Sequence, residues 1–223
     1  MIKITQRALI GAALAVLPLL TAATPALTQP HARESMTLAA GVQALPLSAE
    51  NRDGYQRTSF RHWIDEDRDG CSTRNEVLIA ESRKPVEKGD RCKILSGEWH
   101  SYYDQQTVTD PRGLDIDHIV PLAEAWDSGA SQWTKERRQA YANDLGAERS
   151  LVAVTARTNR SKADQDPAQW MPPSGDARCT YLGDWVSTKL RWELTADRDE
   201  AETLRALAAG CGGQAIEYEL AGG

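Results

Sequence analysis

Apolar and large side chains along this chain recur with two different spacings. Over residues 132–145 the large side chains recur every four positions, which predicts a helix. Further helices are predicted over residues 55–64, 76–82, 181–194 and 199–209, with another starting near Thr158. Residues 115–120 alternate polar and β-branched side chains, and residues 150–155 contain the run Leu-Val-Ala-Val, so each segment predicts a strand. Two short strands among several helices predict an α+β fold class, a mainly helical single domain.

The first 26 residues have the composition of an export signal. Lys3 and Arg7 give a positive start, residues 8–20 form an apolar run, and Thr24-Pro25-Ala26 offers small residues for cleavage. The run is too short for a comfortable membrane span. An uncleaved anchor is the alternative, because the stretch after the run is uncharged and rich in alanine. We predict a signal peptide over residues 1–26 and a secreted protein with no membrane contact after cleavage.

The rest of the chain divides into a linker and one domain. Residues 27–50 contain Pro, Ser, Thr and Ala with little periodicity, which predicts an extended or disordered linker. The folded domain is predicted over residues 51–223, a length that allows one hydrophobic core and suits a monomer.

The chain is acidic, and this limits how it can bind nucleic acid. Its formal net charge is −6, which becomes −8 when Lys3 and Arg7 leave with the signal. A module that holds DNA by neutralising many phosphates normally has a basic face, so binding here must rely on a local patch or on bound metal. A nuclease needs turnover rather than tight retention. No glycine-rich nucleotide-binding loop occurs, so no nucleotide cofactor is predicted.

Four cysteines lie beyond the signal, an even number that in an exported chain predicts two disulfides. Three pairings are open. We favour Cys71 with Cys92 and Cys179 with Cys211, because each closes a short local loop. Zinc is the rival interpretation, but no CxxC pair occurs and histidine is scarce.

The most informative stretch places Asp117 and His118 side by side at the end of a predicted strand. Neighbouring strand residues point to opposite faces, so a twisted strand end is needed to bring both into one cleft. A carboxylate that holds a metal and an imidazole that takes a proton from water suit phosphodiester hydrolysis. Downstream, a second strand runs into a polar helix start that can present Asn159 to the same metal. The histidines at 62 and 100 are predicted to lie on a helix face and in a packed hairpin.

Two motifs resemble those of the HNH endonucleases. They are Asp117-His118-Ile119-Val120-Pro121-Leu122, of the form DHxVPL, and a segment of the form NxSKxDxDPxxW that runs from Asn159 to Trp170. The similarity extends from about Gly54 to Cys211. It implies a ββα-metal core in which two strands and a helix hold one Mg²⁺ or Mn²⁺ against the scissile phosphate of DNA or RNA.

The resemblance also implies roles for single residues. Asp117 matches the metal carboxylate, His118 the general base, and Asn159 the helix position that is His or Asn in the family. The middle motif position departs from the pattern, since Ser150 stands where an Asn normally orients the base histidine. Asn143 is the alternative for that orienting contact.

Four cations are candidate phosphate ligands. Arg157, Arg160 and Lys162 lie beside Asn159 in sequence, and Arg74 belongs to an Asp-Gly-Cys-x-x-Arg segment that the resemblance includes. Arg74 reaches the cleft in one interpretation and caps an acidic turn in the other.

Residues 65–76 match a calcium-loop template, with carboxylates at the first, third, fifth and twelfth positions and Gly70 at the sixth. The predicted ligands are Asp65, Asp67, Asp69 and Glu76. A solvated acidic turn is the alternative, because Ser72 replaces the usual apolar residue and Cys71 is predicted in a disulfide. A structural Ca²⁺ therefore joins the predictions.

Three functions remain open from the sequence. The first is a secreted metal-dependent endonuclease. The second is a non-catalytic exported protein that binds calcium and carries a nuclease motif decayed at Ser150. The third is a phosphodiesterase for small nucleotides or cell-wall phosphates, which would use the same chemistry.

Overall fold

A computed structural model describes residues 32–222 and confirms the α+β class. Within that range seven α-helices accompany eight short strands, which pair as four antiparallel two-stranded sheets. The helices are α1 (Leu38–Ala44), α2 (Thr73–Glu81), α3 (Leu122–Asp127), α4 (Lys135–Ala142), α5 (Ala156–Lys162), α6 (Arg178–Arg191) and α7 (Arg198–Ala208). The strands are β1 (Glu34–Thr37), β2 (Glu87–Lys88), β3 (Ile94–Ser96), β4 (Trp99–Ser101), β5 (Gln106–Val108), β6 (Leu114–His118), β7 (Leu151–Thr155) and β8 (Ala215–Tyr218). The paired strands are β1 with β8, β2 with β3, β4 with β5, and β6 with β7.

The hairpin of β6 and β7 is the centre of the domain. Its register pairs Leu114 with Thr155 at one end and His118 with Leu151 at the other. Thr155 ends β7 and also caps α5, because its hydroxyl accepts a hydrogen bond from the amide of Thr158. Strand therefore passes directly into helix, and α5 contacts both strands of the hairpin.

The two faces of this hairpin pack against different cores. Leu114 and Ile116 point into a small core with α2, while Val152 and Val154 point into the main core with α6 and α7. Because β7 is covered on both faces, it reads as a continuous apolar run rather than as an alternating one. The alternation of β6 places Asp115 and Asp117 on one face and His118 on the other.

Residues 34–44 belong to the fold, so the predicted disordered linker over residues 27–50 is wrong for this part. β1 pairs with β8, and α1 buries Leu38 and Val42 in the main core. The segment is too short for its apolar spacing to stand out, and its stability comes from partners near the end of the chain. The predicted signal peptide and residues 27–31 lie outside the described residues. Among those that are described, no helix has the length and apolar character needed to cross a membrane.

The predicted helix over residues 55–64 is also wrong, since only the single turn Arg57–Ser59 is helical there. The buried amide of Asn143 donates to the Arg61 carbonyl and accepts from the Ile64 amide, so these two backbone groups are not available to a helix. The other predicted helices and both strands are present, with their ends shifted by a few residues.

Both favoured disulfides are present, so that pairing is confirmed. Cys71–Cys92 closes a separation of 21 residues and joins the start of α2 to the turn before β3. Cys179–Cys211 closes a separation of 32 residues and joins α6 to the segment after α7. Short loops of this kind constrain the unfolded chain and so stabilise the fold.

A buried carboxylate at the end of α2 makes the stability of this core depend on pH. Glu81 accepts a hydrogen bond from the Ala153 amide of β7 at 2.9 Å, and burial raises the pKa of Glu81 to about 7 from 4.5. Between those values the folded state holds a proton that the unfolded state releases, so this contribution to stability is lost as pH rises through 7.

We therefore expect Glu81→Gln to be more stable than the wild type at pH 8 and closer to it at pH 5. Urea unfolding at both pH values measures this. Glu202→Gln, on the exposed face of α7, is the matched control and should show no such trend. An advantage of Glu81→Gln that does not grow with pH would contradict the expectation.

Candidate active site

Asp117 is buried at the end of β6, and one of its two carboxylate oxygens is fully engaged. Oδ2 accepts hydrogen bonds from the hydroxyl of Tyr103 at 2.5 Å and from the ammonium of Lys162 at 2.6 Å. Burial raises the pKa of Asp117, and the contacts with Lys162 and Tyr103 oppose that rise. Oδ1 accepts no hydrogen bond from the described residues and is not among their fully enclosed polar atoms. This oxygen therefore keeps unused hydrogen-bond acceptor capacity.

His118 is only 6% exposed and packs on the other side of β6. Its ring lies between Trp63, with centroids 5.4 Å apart, and Tyr141, at 6.3 Å. Nε2 lies 3.0 Å from the carbonyl oxygen of Ala142. Because a carbonyl can only accept, the neutral ring carries its proton on Nε2 and leaves Nδ1 as the basic nitrogen.

The pKa of His118 is lowered from 6.5 to about 3. Burial is the largest cause, and the positive charges of Arg57, His62 and Lys162 act in the same direction. The ring is therefore neutral at neutral pH.

Neither predicted orienting side chain touches His118. The Asn143 amide uses its hydrogen-bonding capacity on the Arg61 and Gln139 carbonyls, the Ile64 amide and the Thr73 hydroxyl. The Ser150 hydroxyl donates to Asp144 instead. The carbonyl that orients His118 belongs to Ala142. Asn143 affects that contact only through its own hydrogen bonds, which hold the end of α4 in place.

Asn159 lies on α5 against the same face of β6 that carries Asp117. Its contact, however, is with Asp115, whose Oδ2 accepts from the Asn159 amide at 3.3 Å. Arg160 approaches the same oxygen at 3.4 Å. The amide oxygen of Asn159 accepts no hydrogen bond from the described residues.

The four candidate phosphate ligands differ in exposure. Arg157 and Arg160 are exposed, and each approaches one carboxylate, on Asp104 and Asp115 respectively. Lys162 is fully buried and donates to Asp117 and to the His118 carbonyl, so it has no surface to offer a phosphate. The guanidinium of Arg74 donates to two backbone carbonyls before and at the start of β6 and so ties α2 to that strand. Neither Lys162 nor Arg74 is placed to bind substrate directly.

The acidic loop before α2 brings its carboxylates together. Oxygens of Asp65, Asp67 and Asp69 lie within 4.8 Å of one another, and Glu76 lies equally near Asp69. Repulsion from Asp69 and Asp67 adds to burial in raising the pKa of Glu76. Cys71 also falls within this group but is bound in a disulfide and cannot act as a thiolate ligand. The calcium loop stays a prediction.

Four groups in or beside the site were not predicted from the sequence. Asp115 could have been found, because it lies two positions before Asp117 on the same strand face. Tyr103, the Ala142 carbonyl and His62 gave no local signal. The ring of His62 has its centroid 6.5 Å from that of His118, so this residue is a neighbour of the site rather than a remote helix residue.

The domain thus contains an antiparallel strand pair that runs into a helix, with an Asp-His pair at the strand end. A sequence model of the C-terminal domain of GmrSD restriction endonucleases matches residues 72–207. The chain belongs to this family. The matched range contains β6, β7 and α5 entirely, whereas the segment around Arg57 precedes it.

A second comparison extends the similarity over most of the chain. An "uncharacterized secreted protein" of Arthroderma benhamiae is 38% identical over 182 residues, which cover 82% of this chain and 87% of the relative. No solved structure matches significantly. The predicted membership of a secreted nuclease family agrees with both sequence matches.

Proposed function

We propose that this protein is a secreted, metal-dependent endonuclease that hydrolyses phosphodiester bonds of DNA, and of RNA if its cleft admits it. The observation that carries the proposal is the pairing at the end of β6. Asp117 offers a free carboxylate oxygen, and the neighbouring His118 offers a free basic nitrogen whose orientation is fixed by the Ala142 carbonyl.

The donor atoms of the site suit Mg²⁺ or Mn²⁺. The Asp117 carboxylate, the Asn159 amide oxygen and Asp115 beside it are hard oxygen ligands, which these cations prefer. When bound, such a cation stabilises negative charge on the scissile phosphate and on the leaving oxygen. Lys162 and Tyr103 hold Oδ2 of Asp117, so Oδ1 is the oxygen that would bind the cation.

His118 would take the proton of the attacking water on Nδ1, while Nε2 keeps its hydrogen bond to Ala142. A pKa near 3 is low for this task, since a general base works best near the ambient pH. The negatively charged phosphodiester of the substrate, lying against the ring, would raise that pKa, because a nearby negative charge favours the imidazolium. In its buried position, His118 would therefore take up the proton only when substrate is bound.

Export is supported by the signal-like start of the sequence and by the secreted relative. The non-catalytic alternative drew on Ser150 as a sign of decay. Ser150 is not a sign of decay on this ground, because the Ala142 carbonyl orients His118 without any contact from residue 150. A small-molecule phosphodiesterase would use the same groups. Only its substrates distinguish it from an endonuclease.

Cation dependence tests this function directly. We expect the mature protein to nick supercoiled plasmid with Mg²⁺ or Mn²⁺ and to lose activity in EDTA. Parallel digestions with RNA and with Ca²⁺ or Zn²⁺ define the substrate and the cation. Cleavage that persists in EDTA would rule out the metal, and hydrolysis of small diesters without any nicking would favour the phosphodiesterase.

Thermal unfolding with the same cations tests the acidic loop, where Ca²⁺ should raise Tm and Asp67→Asn should remove that rise.

A further inference from the structure

A basic groove lies on the His118 side of the domain, before the region matched by the nuclease family. It has a volume of about 410 Å³ and is formed by the segment from Gln56 to Arg61 and by the first two turns of α4. Its lining is polar throughout. The lining residues are Gln56, Thr58, Ser59, Arg61, Lys135, Glu136, Arg138 and Gln139.

The charge of this groove is opposite to that of the whole protein. Three cations and one anion line it in a chain whose net charge is −6. Arg61 and Lys135 are exposed, and neither forms an ion pair within residues 32–222. Arg157 and Arg160, the exposed cations beside Asn159, each face a carboxylate instead. Arg61 and Lys135 are thus the exposed cations of the groove, whose one carboxylate, on Glu136, leaves a net positive charge.

Arg138 makes the groove rigid rather than merely charged. Its guanidinium donates to the carbonyls of Ser59, Ala130 and Trp133, which ties the extended segment to α4. Asn143 adds a second tie through the Arg61 carbonyl. Arg61 is therefore held at the groove by a partly buried contact of its own backbone, and Lys135 by its place in the first turn of α4.

The groove is continuous with the surroundings of His118. Arg61 is followed by His62 and Trp63, whose rings both lie against that of His118. Arg57, exposed and without an ion pair in the described chain, is close enough for its charge to act on the His118 ring. Arg61 therefore connects the groove in sequence to two rings that pack on His118.

We propose that this groove binds the phosphodiester backbone of the nucleic-acid substrate on one side of the cleavage site. Arg61 and Lys135 contact phosphates, and Arg57 continues the track toward His118. The proposal rests on the proposed nuclease function and extends it, because it places the local basic patch that an acidic nucleic-acid enzyme requires. Contacts of this kind are independent of base sequence.

The test measures binding without cleavage. Fluorescence anisotropy of a labelled 20-base-pair DNA duplex, and of an RNA strand in a parallel arm, is recorded in the His118→Ala background at several salt concentrations. Arg61→Gln/Lys135→Gln is the groove variant. Arg198→Gln/Arg205→Gln is the matched control, because it removes two exposed, unpaired cations from α7 and changes the net charge equally.

We expect the groove variant to bind roughly tenfold more weakly at 0.1 M salt and to lower the slope of log Kd against log salt by about 1.8, or about 0.9 for each phosphate contact on duplex DNA. The control should bind like its parent. Equal binding by the groove variant and its parent would overturn the groove and leave the nuclease proposal standing. A parent that binds neither nucleic acid, in a protein that also fails to nick plasmid, would overturn both. Far-UV circular dichroism confirms that the variants are folded.

Discussion

Replacing His118 with alanine is expected to reduce plasmid cleavage by about 10²- to 10⁴-fold, the usual contribution of a positioned general base. Nδ1 of this ring is the basic nitrogen that the Ala142 contact leaves unprotonated, and the neighbouring side chains that pack on the ring are aromatic. Initial rates of nicking with saturating Mg²⁺ measure the loss.

Two further variants separate chemistry from packing. His118→Gln keeps a polar side chain that can donate to the Ala142 carbonyl but cannot take up a proton at neutral pH, so it should be as inactive as the alanine variant. His100→Ala removes a histidine whose ring contacts Gln105 on the β4–β5 hairpin and should cleave at the wild-type rate. Undiminished cleavage by His118→Ala would remove this residue from the mechanism.

Lys162→Met is expected to have the largest effect on stability, a loss of about 3–5 kcal/mol, because it leaves the buried Asp117 carboxylate without its cation. Both side chains are almost completely buried, and their contact is 2.6 Å long. Urea unfolding in the absence of added metal measures the loss. Cleavage should also fall, since Lys162 holds the orientation of the Asp117 carboxylate that we propose as the metal ligand.

A double variant distinguishes the ion pair from simple packing. Asp117→Asn/Lys162→Met removes both charges, so it should recover much of the stability that either single change loses, while remaining inactive because the metal carboxylate is gone. Stability losses that merely add in the double variant would show that the two charges do not interact. A Lys162→Met protein within about 1 kcal/mol of the wild type would contradict the buried pair itself.

The two site variants and the groove variant fail in different ways. Loss of His118 affects turnover and not binding, loss of Lys162 affects the fold as well as turnover, and loss of Arg61 and Lys135 affects binding and its salt dependence. Measuring rate, stability and affinity for all three therefore assigns each region a separate role.

The sequence by itself determined the elements that carry the site. The alternation in β6, the apolar run of β7 and the polar start of α5 are local patterns, and each formed as predicted. The position of Asp117 and His118 side by side at a strand end was also predicted from the sequence, as was the pairing of cysteines across short loops. Such features depend on residues close together in the chain, where spacing and backbone preference are enough.

Only the tertiary structure decided which groups meet at the site. Tyr103 and Lys162 reach Asp117 from 14 and 45 residues away, and the carbonyl that orients His118 lies 24 residues further along the chain. No local pattern encodes these distances. Lys162 sits in a polar, charged stretch that predicts solvent exposure, yet it is buried, where its ammonium donates to the Asp117 carboxylate and to the His118 carbonyl.

The same reason explains the two segments that were misjudged. Residues 34–44 fold because β8, near the other end of the chain, supplies a strand partner, and residues 60–64 do not continue a helix because Asn143 occupies the Arg61 carbonyl and the Ile64 amide. The pairing of Asp117 and His118 was therefore visible in the sequence. The Asp117 oxygen that is left without a hydrogen bond, the tautomer of the imidazole and the basic groove required the folded chain.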